Sequence, residues 1–395
     1  MLKRVEATPR PVPVTPRIAI LADHLEEGWT SMDHYAAMLE QELGSAGAVE
    51  PALVRPRFKE RLGQMTWLFG PRHGHTLDRY WNRYVDYPRE MARFRDFDLF
   101  HVVDQTYAHL TMRSPAARTV VTCHDLDFAE PPPGTRHAWL VRMTGEHTLP
   151  GLRAAARVLC DSEAIRAEIL RRGLVAPERL VVVPLGVEPE FRPEGPTALP
   201  PGAEARLAEL GEGPRILHVG GMVARKRIDL LLRAFAAVRR QLPGATLVRV
   251  GGALSPAMAA LANELAVARA ILTLPFLSRA ELAGVFRRCE LLVLCSETEG
   301  FGLPVLEAMA SGLPVVAREL PAVREVAGDA IHHVPGDDPD ALAAAVAAVL
   351  RDADRRATMR ARGLERAAEF TWAETAARTV RVYADVLAGA STTSL

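Results

Sequence analysis

Two carboxylates, Glu299 and Glu307, stand eight positions apart around the start of a predicted helix. The apolar run Leu291–Cys295 ahead of them predicts a strand, and Pro304 falls in the first helical turn, where proline is tolerated. Backbone N–H groups at a helix start bind phosphate or hydroxyl oxygens, and carboxylates accept hydrogen bonds from vicinal hydroxyls. The unit therefore predicts a site for a sugar or ribose phosphate, although each acid taken alone is equally compatible with a surface position.

A second candidate segment follows the first predicted strand of the second half. Gly220 and Gly221 allow a ligand to approach the backbone closely, and Arg225 and Lys226 carry the charge needed to neutralise a diphosphate. An ordinary loop with a basic helix start is the alternative. Since basic charge at a helix N-terminus is unfavourable without an anion, we favour an anion site, with Arg227 as a bystander.

In the first half, His124 ends the predicted strand Arg118–Cys123, and Asp125 is expected to orient its ring. A histidine at the carboxyl end of a parallel strand faces the ligand-binding edge of the sheet, but a lone histidine is also common in a core. The segment 104–107 follows another strand, and we place it on the acceptor side because of that position alone.

Short apolar runs alternate with longer amphipathic stretches along the chain, which predicts β-α-β units and parallel sheets. Prolines and glycines between 187 and 214 interrupt the pattern, which restarts at Arg215–Val219. We therefore predict two doubly wound, Rossmann-like α/β domains facing a cleft. Their expected bounds are 1–190 for an acceptor-side domain, 191–214 for a linker, 215–370 for a nucleotide-sugar-binding domain and 371–395 for a helix that returns to the first domain.

The run EGFGLPVLEAMASGLPVVA, from Glu299 to Ala317, resembles the E-x7-E signature of family 4 glycosyltransferases, which are retaining enzymes with the GT-B fold. Leu180–Val187 and Phe370–Leu387 are also similar to family segments. The resemblance implies that Glu299 lies beside the donor sugar, Glu307 holds the ribose, and Arg225 and Lys226 hold the diphosphate. It further implies a donor-sugar contact for His124, and backbone contacts at Gly220, Gly221, Gly28, Gly300, Phe301, Gly302 and Leu303.

The expected function is that of a retaining, metal-independent hexosyltransferase without a cofactor. It would move a mannose- or glucose-type sugar from a GDP- or UDP-linked donor to a glycan, a lipid-linked acceptor or a small molecule. A sugar-nucleotide epimerase of the same fold and a non-catalytic subunit that binds nucleotide sugars are the alternatives. No G-x-G-x-x-G follows the first strand of either half, which argues against a dehydrogenase.

Global charge favours no nucleic-acid partner, since Lys+Arg and Asp+Glu both number 48. Residues 52–95 nevertheless hold ten basic residues against four acidic ones. This region is interpreted as a solvated helical face, with peripheral contact to anionic lipid as the alternative. The four cysteines form no C-x-x-C pair, and no apolar run is long enough to span a bilayer. Both features predict a cytoplasmic protein. The alternative is a protein bound peripherally at the inner face of the membrane.

Overall fold

The computed structural model describes residues 15–62, 75–126, 138–197 and 199–392. Its chain forms two compact units. The first contains the described residues up to Pro184 and those from Trp372 onward, and the second is Leu185–Thr371. No helix within the described ranges is long and apolar enough to cross a membrane.

The first unit is built on a six-stranded parallel sheet with the order β2-β1-β3-β4-β5-β6. Its strands are β1 (Arg17–Leu21), β2 (Glu50–Val54), β3 (Leu99–Val102), β4 (Thr119–Cys123), β5 (Arg157–Cys160) and β6 (Leu180–Val182). Its helices are α1 (Thr30–Ala46), α2 (75–81, continued by a π-helical turn Asn82–Asp86), α3 (Tyr87–Glu90), α4 (Ala138–Ala154), α5 (Glu163–Arg171) and α14 (Trp372–Thr392). A 3-10 helix, Gln105–Met112, follows β3. The strands are almost wholly buried apart from the edge strands β2 and β6, as expected when helices cover both faces of a parallel sheet.

The second unit repeats the architecture with the sheet order β12-β11-β10-β7-β8-β9. Its strands are β7 (Arg215–Val219), β8 (Thr246–Val250), β9 (Ile271–Leu274), β10 (Leu291–Leu294), β11 (Val315–Arg318) and β12 (His332–Val334). Its helices are α6 (Ala203–Glu209), α7 (Ile228–Gln241), α8 (Pro256–Glu264), α9 (Arg279–Arg287), α10 (Leu303–Ala310), α11 (Pro321–Ala327), α12 (Pro339–Arg351) and α13 (Ala353–Ala367). Buried aliphatic side chains of α7 and α12 pack on β7, β8 and β10 to form its core.

Each sheet has one point where the chain changes its direction of winding. It lies between β1 and β3 in the first unit and between β7 and β10 in the second. At such a point the loops leaving the two neighbouring strands diverge to opposite faces and leave a crevice outside their carboxyl ends. The two crevices fix where a ligand site is expected in each unit.

The predicted α/β class with two doubly wound sheets is confirmed. The strands predicted at Arg118–Cys123, Arg215–Val219 and Leu291–Cys295 are present as β4, β7 and β10. The sequence missed β2, an edge strand that contains Pro51, because proline weakens the strand signal and is tolerated only at edges or bulges. The segment predicted as a linker, 191–214, lies in the second unit and contains α6. Residues 185–190 also belong to that unit, where Val187 N–H donates to Phe370 O.

Buried polar groups fix α14 in the first unit. Tyr383 Oη lies 2.6 Å from His101 Nδ1, and His101 Nε2 lies 2.7 Å from Thr122 Oγ1. Tyr35 Oη from α1 reaches the same Thr122 hydroxyl at 3.0 Å. Burial lowers the pKa of His101 to about 3, so the ring is neutral and one nitrogen donates while the other accepts.

Replacing Tyr383 by Phe removes the partner of His101 Nδ1 and leaves that nitrogen unsatisfied in the interior. We expect the free energy of unfolding to fall by about 1–3 kcal/mol in urea titrations. Tyr80→Phe is the control, because the hydroxyl of Tyr80 makes no hydrogen bond to the described residues and its ring only stacks on Tyr84. Equal effects of the two substitutions would show that the network does not hold α14.

Candidate functional site

The loops that follow β7 and β10 meet at the crevice of the second unit. Lys226 Nζ donates to Glu299 Oε1 at 2.7 Å, and Arg225 Nη1 donates to Glu299 Oε2 at 3.5 Å. The backbone joins them too, since Glu297 N–H donates to Arg225 O at 2.7 Å. The structure therefore joins these residues in one cluster. The two cations were predicted from one segment, and the carboxylate was predicted from another segment more than 70 positions away.

Positive charge is in excess in this cluster. The side chains of Lys226 and Glu299 are only 10% and 6% exposed. Burial raises the pKa of Glu299, but the charges of Lys226 and Arg225 outweigh burial and lower it. The neighbouring Arg227 does not share this carboxylate, because it pairs with Asp229 and Asp337.

A third cation, Arg249, lies beneath the loop that contains Gly220 and Gly221. The sequence analysis missed it. Arg249 on β8 is fully buried, and its guanidinium donates to the carbonyl oxygens of Gly220 (3.1 Å) and Gly252. No carboxylate of the described chain pairs with it, and burial lowers its pKa. In the sequence, Arg249 is a single charged residue within a largely apolar strand. Nothing in its spacing from other residues indicated that it supports the crevice.

The loop after β7, which contains Gly220 and Gly221, comes very close to the loop after β8. Gly251 has φ +129°, and a Cβ there would lie 2.2 Å from Gly220 O, so only glycine fits. Gly221 and Gly252 lie beside the ring of Phe276, which is 64% exposed. His218 lies below Gly220 with both ring nitrogens unpaired among the described residues, and burial together with Lys226 lowers its pKa to about 3.

Helix α10 begins at this crevice without a side-chain cap. Gly302 is its N-cap residue, with φ +98°, a conformation that glycine adopts without strain. The ring of Phe301 is buried and packs edge-on against Phe370 at 5.9 Å, which fixes the turn. Gly300, Phe301, Gly302 and Leu303 thus lie at a helix start whose N-cap residue, Gly302, makes no side-chain cap hydrogen bond. Their predicted contacts with a ligand stay predictions.

Glu307 is buried on α10 and has a partner that the sequence did not indicate. Arg279, the first residue of α9, donates to Glu307 Oε1 at 2.5 Å and to both oxygens of Glu188, at 2.7 and 2.9 Å. The same guanidinium lies 4.5 Å above the ring of Phe191. A basic residue at a helix start is unfavourable alone, and these carboxylates explain its presence.

His124 lies at the crevice edge of the first sheet, but Asp125 does not orient it as predicted. Its Nδ1 pairs with Asp161 Oδ2 at 2.7 Å, and its Nε2 lies 2.8 Å from Val103 O. Asp125 instead accepts from Gln105 Nε2 at 3.1 Å. Asp161 follows the neighbouring strand β5, so it reaches the ring across the sheet, whereas an adjacent residue points away from it.

Gly28 ends a short 3-10 turn after β1 with φ +74°, and its predicted backbone contact is untested. Beside it, Glu27 accepts from Arg79 Nε at 3.0 Å and from Tyr107 Oη at 3.1 Å. Burial and the Asp104 carboxylate raise the pKa of Asp23 well above its usual range. The crevice between β1 and β3 is thus lined by buried carboxyl groups of both strand ends.

These first-unit residues and those around Glu299 are two separate groups, one in each unit. No group of three or more His, Cys, Asp or Glu side chains in the described part of the chain could hold a metal ion. Asp-x-Asp triplets do occur in the sequence, beginning at Asp96, Asp125, Asp338 and Asp352, and Asp127 lies outside the described residues. The expected metal independence therefore stays a prediction.

The two sheets with their crevices define the class of protein. The chain has the GT-B fold of known glycosyltransferase structures, as shown by its likeness to sucrose-phosphate synthase of Thermosynechococcus elongatus (TM-score 0.73, 20% identity, 95% of this chain and 100% of that one). HepE of Anabaena in complex with UDP and glucose gives a TM-score of 0.68 at 17% identity, over 93% of this chain and 99% of that one.

Sequence comparison identifies the family. Residues 25–191 match the model of glycosyltransferase family 4, and residues 204–366 match that of glycosyl transferases group 1. The chain is 30% identical to O-antigen chain mannosyltransferase B of Escherichia coli, over 67% of this chain and 70% of that protein. It belongs to glycosyltransferase family 4, and the predicted resemblance is confirmed.

Another similar relative is D-inositol 3-phosphate glycosyltransferase of Thermobispora bispora, 34% identical over 68% of this chain and 64% of that protein. In three such glycosyltransferases the match spans only 59–64% of the length of the relative.

The ion pair of His124 makes stability depend on pH. Burial alone would lower the pKa of His124, but Asp161 outweighs it and raises the pKa to about 9. The protonated ring therefore stabilises the fold fully below about pH 6.5, and this contribution is lost as the pH rises through 9. We expect the stability difference between the wild type and Asp161→Asn to shrink by up to about 3 kcal/mol between pH 6 and pH 9.5. Urea titrations at the two pH values measure it, and an unchanged difference would contradict a charged His124.

Proposed function

We propose that this chain transfers a hexose from a nucleotide diphosphate sugar to a hydroxyl group, with retention of the anomeric configuration and without a metal ion. One observation carries the proposal. Arg225 and Lys226 pair with a single carboxylate, Glu299, at the β7/β10 crevice, beside the start of α10, which has no side-chain cap. Arg249 lies under the loop that contains Gly220 and adds a buried positive charge without a carboxylate partner in the described chain. An excess of positive charge next to a helix start without a side-chain cap is the environment that a diphosphate requires.

The remaining side chains of the crevice support a donor held along its edge. The diphosphate would lie against Lys226, Arg225 and the N–H groups near Gly302, while Glu307, oriented by Arg279, would accept from the ribose hydroxyls. The exposed ring of Phe276 offers a flat apolar surface for the nucleotide base. Glu299 would face the sugar and at the same time hold the two cations in place.

The chemistry follows from this charge arrangement. As the bond between the anomeric carbon and the diphosphate oxygen breaks, negative charge grows on the leaving phosphate, and Lys226 and Arg225 stabilise it. The sugar gains oxocarbenium character. The acceptor hydroxyl attacks from the same face and passes its proton to the departing phosphate oxygen. No separate protein base is needed, and the configuration is retained.

The names of the relatives support a hydroxyl acceptor and a hexose. One is named for transfer to D-inositol 3-phosphate and another for mannose transfer to an O-antigen chain. A structural neighbour holds UDP and glucose. In the first unit, the crevice with Glu27, Asp23 and Asp104 supplies the carboxyl groups that bind sugar or cyclitol hydroxyls. We place the acceptor there.

Replacing Lys226 by Ala should lower turnover by about 10²-fold or more, because one charge opposite the leaving diphosphate is lost. The measurement is release of nucleoside diphosphate from UDP-glucose or GDP-mannose in the presence of an acceptor. Lys226→Arg should recover part of the rate, since it keeps a cation beside Glu299. Melting temperatures recorded in parallel separate lost turnover from lost folding.

Arg362→Ala is the matched control, because this exposed arginine of the second unit contacts none of the candidate site residues. Near-normal turnover of a folded Lys226→Ala variant would remove Lys226 from the mechanism. Epimerised sugar nucleotide without any transfer product would instead favour an epimerase.

A thermal-shift panel of UDP, GDP, ADP and their sugars identifies the donor. A nucleotide that binds only the folded state raises the melting temperature as its concentration exceeds its Kd. We expect one nucleotide to stabilise the protein selectively, and expect the Glu307→Gln variant to lose most of that rise. Absence of any nucleotide-dependent shift would contradict a donor site at the β7/β10 crevice.

A further inference from the structure

The first unit contains a cavity that the proposed transfer does not use. It has a volume of about 860 Å³, within the range of ligand sites, and it lies between the segment 84–97 and the turn 113–118. These segments lead into the amino-terminal ends of β3 and β4. Asp104 and His124 follow the carboxyl ends of the same strands, so the cavity lies at the opposite edge of the sheet from the crevice.

One side of the cavity is aromatic and aliphatic. Phe94, Phe97 and Phe100 line it together with Met91. The rings of Phe97 and Phe100 are 6.3 Å apart and meet edge to face. A surface of this kind offers hydrocarbon contact and few hydrogen bonds, which suits an acyl chain better than a sugar.

The other side is strongly basic. Four arginines, Arg89, Arg95, Arg113 and Arg118, line the cavity, and no Asp or Glu is among the described lining residues. None of the four forms an ion pair with a carboxylate anywhere in the described ranges. Clustered cations without counter-charges repel one another, and an anion placed among them relieves that repulsion.

Several other basic side chains of the 52–95 region form ion pairs. Lys59 pairs with Glu90, Arg61 with Asp86 and Arg79 with Glu27. Their charges are already neutralised within the protein. The cavity thus brings together four arginines that form no ion pair within the described ranges, and two of them lie outside the region that charge counting singled out. Arg72, also in that region, lies outside the described residues.

We propose that this cavity binds an acidic membrane phospholipid, with an acyl chain against the phenylalanines and the phosphate among the arginines. Both halves of the cavity are needed for this choice, because a free phosphate would leave the aromatic side bare and a neutral lipid would leave the arginines unpaired. The inference does not rest on the sugar-transfer proposal, because the cavity shares no residue with the candidate donor and acceptor sites.

Vesicle co-sedimentation tests the charge requirement. The full-length protein should sediment with vesicles of phosphatidylcholine and phosphatidylglycerol and stay in the supernatant with phosphatidylcholine alone. Arg113→Glu should weaken binding by about fivefold or more. Arg362→Glu, an equally exposed arginine of the second unit with the same change of charge, should bind like the wild type. Equal weakening by both substitutions would overturn the site in favour of general charge attraction.

Calorimetry with soluble probes tests the cavity itself. Dihexanoyl phosphatidylglycerol should bind the wild type at least tenfold more tightly than glycerol 3-phosphate, which carries the phosphate without a chain. Arg113→Glu should weaken the lipid probe and leave the nucleotide-dependent thermal shift unchanged, so that loss of lipid binding is separable from failure of the donor site. Equal affinity for the two probes would reduce the cavity to a phosphate site and contradict the proposal.

Discussion

The ion pair between Lys226 and Glu299 connects the loops that follow β7 and β10, which leave the sheet in opposite directions. The chain winds in opposite directions from β7 and from β10, so the loops after these strands diverge and open a crevice. Lys226 and Arg225 come from one loop and Glu299 from the other, and their contacts hold the two at a fixed distance. The start of α10 follows Glu299 directly, so its N–H groups are positioned by the same pair.

Arg249 supports this arrangement from below. By donating to the carbonyl oxygens of Gly220 and Gly252, it orients two glycine-rich loops at once. Its charge also has no carboxylate partner in the described chain, so the field at the crevice is positive before a ligand arrives. Charges fixed in advance need no rearrangement when negative charge develops on a ligand, which is the condition for electrostatic stabilisation of a transition state.

Local sequence signals predicted most elements of both units and the segments of the candidate site, although they missed β2 and the helix α6. Strand patterns, the E-G-F-G-L-P turn and the basic residues after β7 are properties of neighbouring residues, and the structure places them as expected. The partners of His124, Glu307 and Gly220 were not predictable in this way. Asp161, Arg279 and Arg249 each reach their partner across the sheet or between helices, and such pairs depend on register and packing that no local pattern contains.

The first unit is discontinuous, because α14 returns to it from beyond residue 371. On the ribosome, Leu185–Thr371 emerges as an uninterrupted segment and can complete its sheet while the first sheet still lacks its last helix. Until Tyr383 arrives, the imidazole of His101 has no partner on one side and the surface of α1 that α14 covers is open to solvent. The earlier-made half of the chain therefore finishes folding last, and premature termination anywhere in α14 would leave that half incomplete while sparing the second unit.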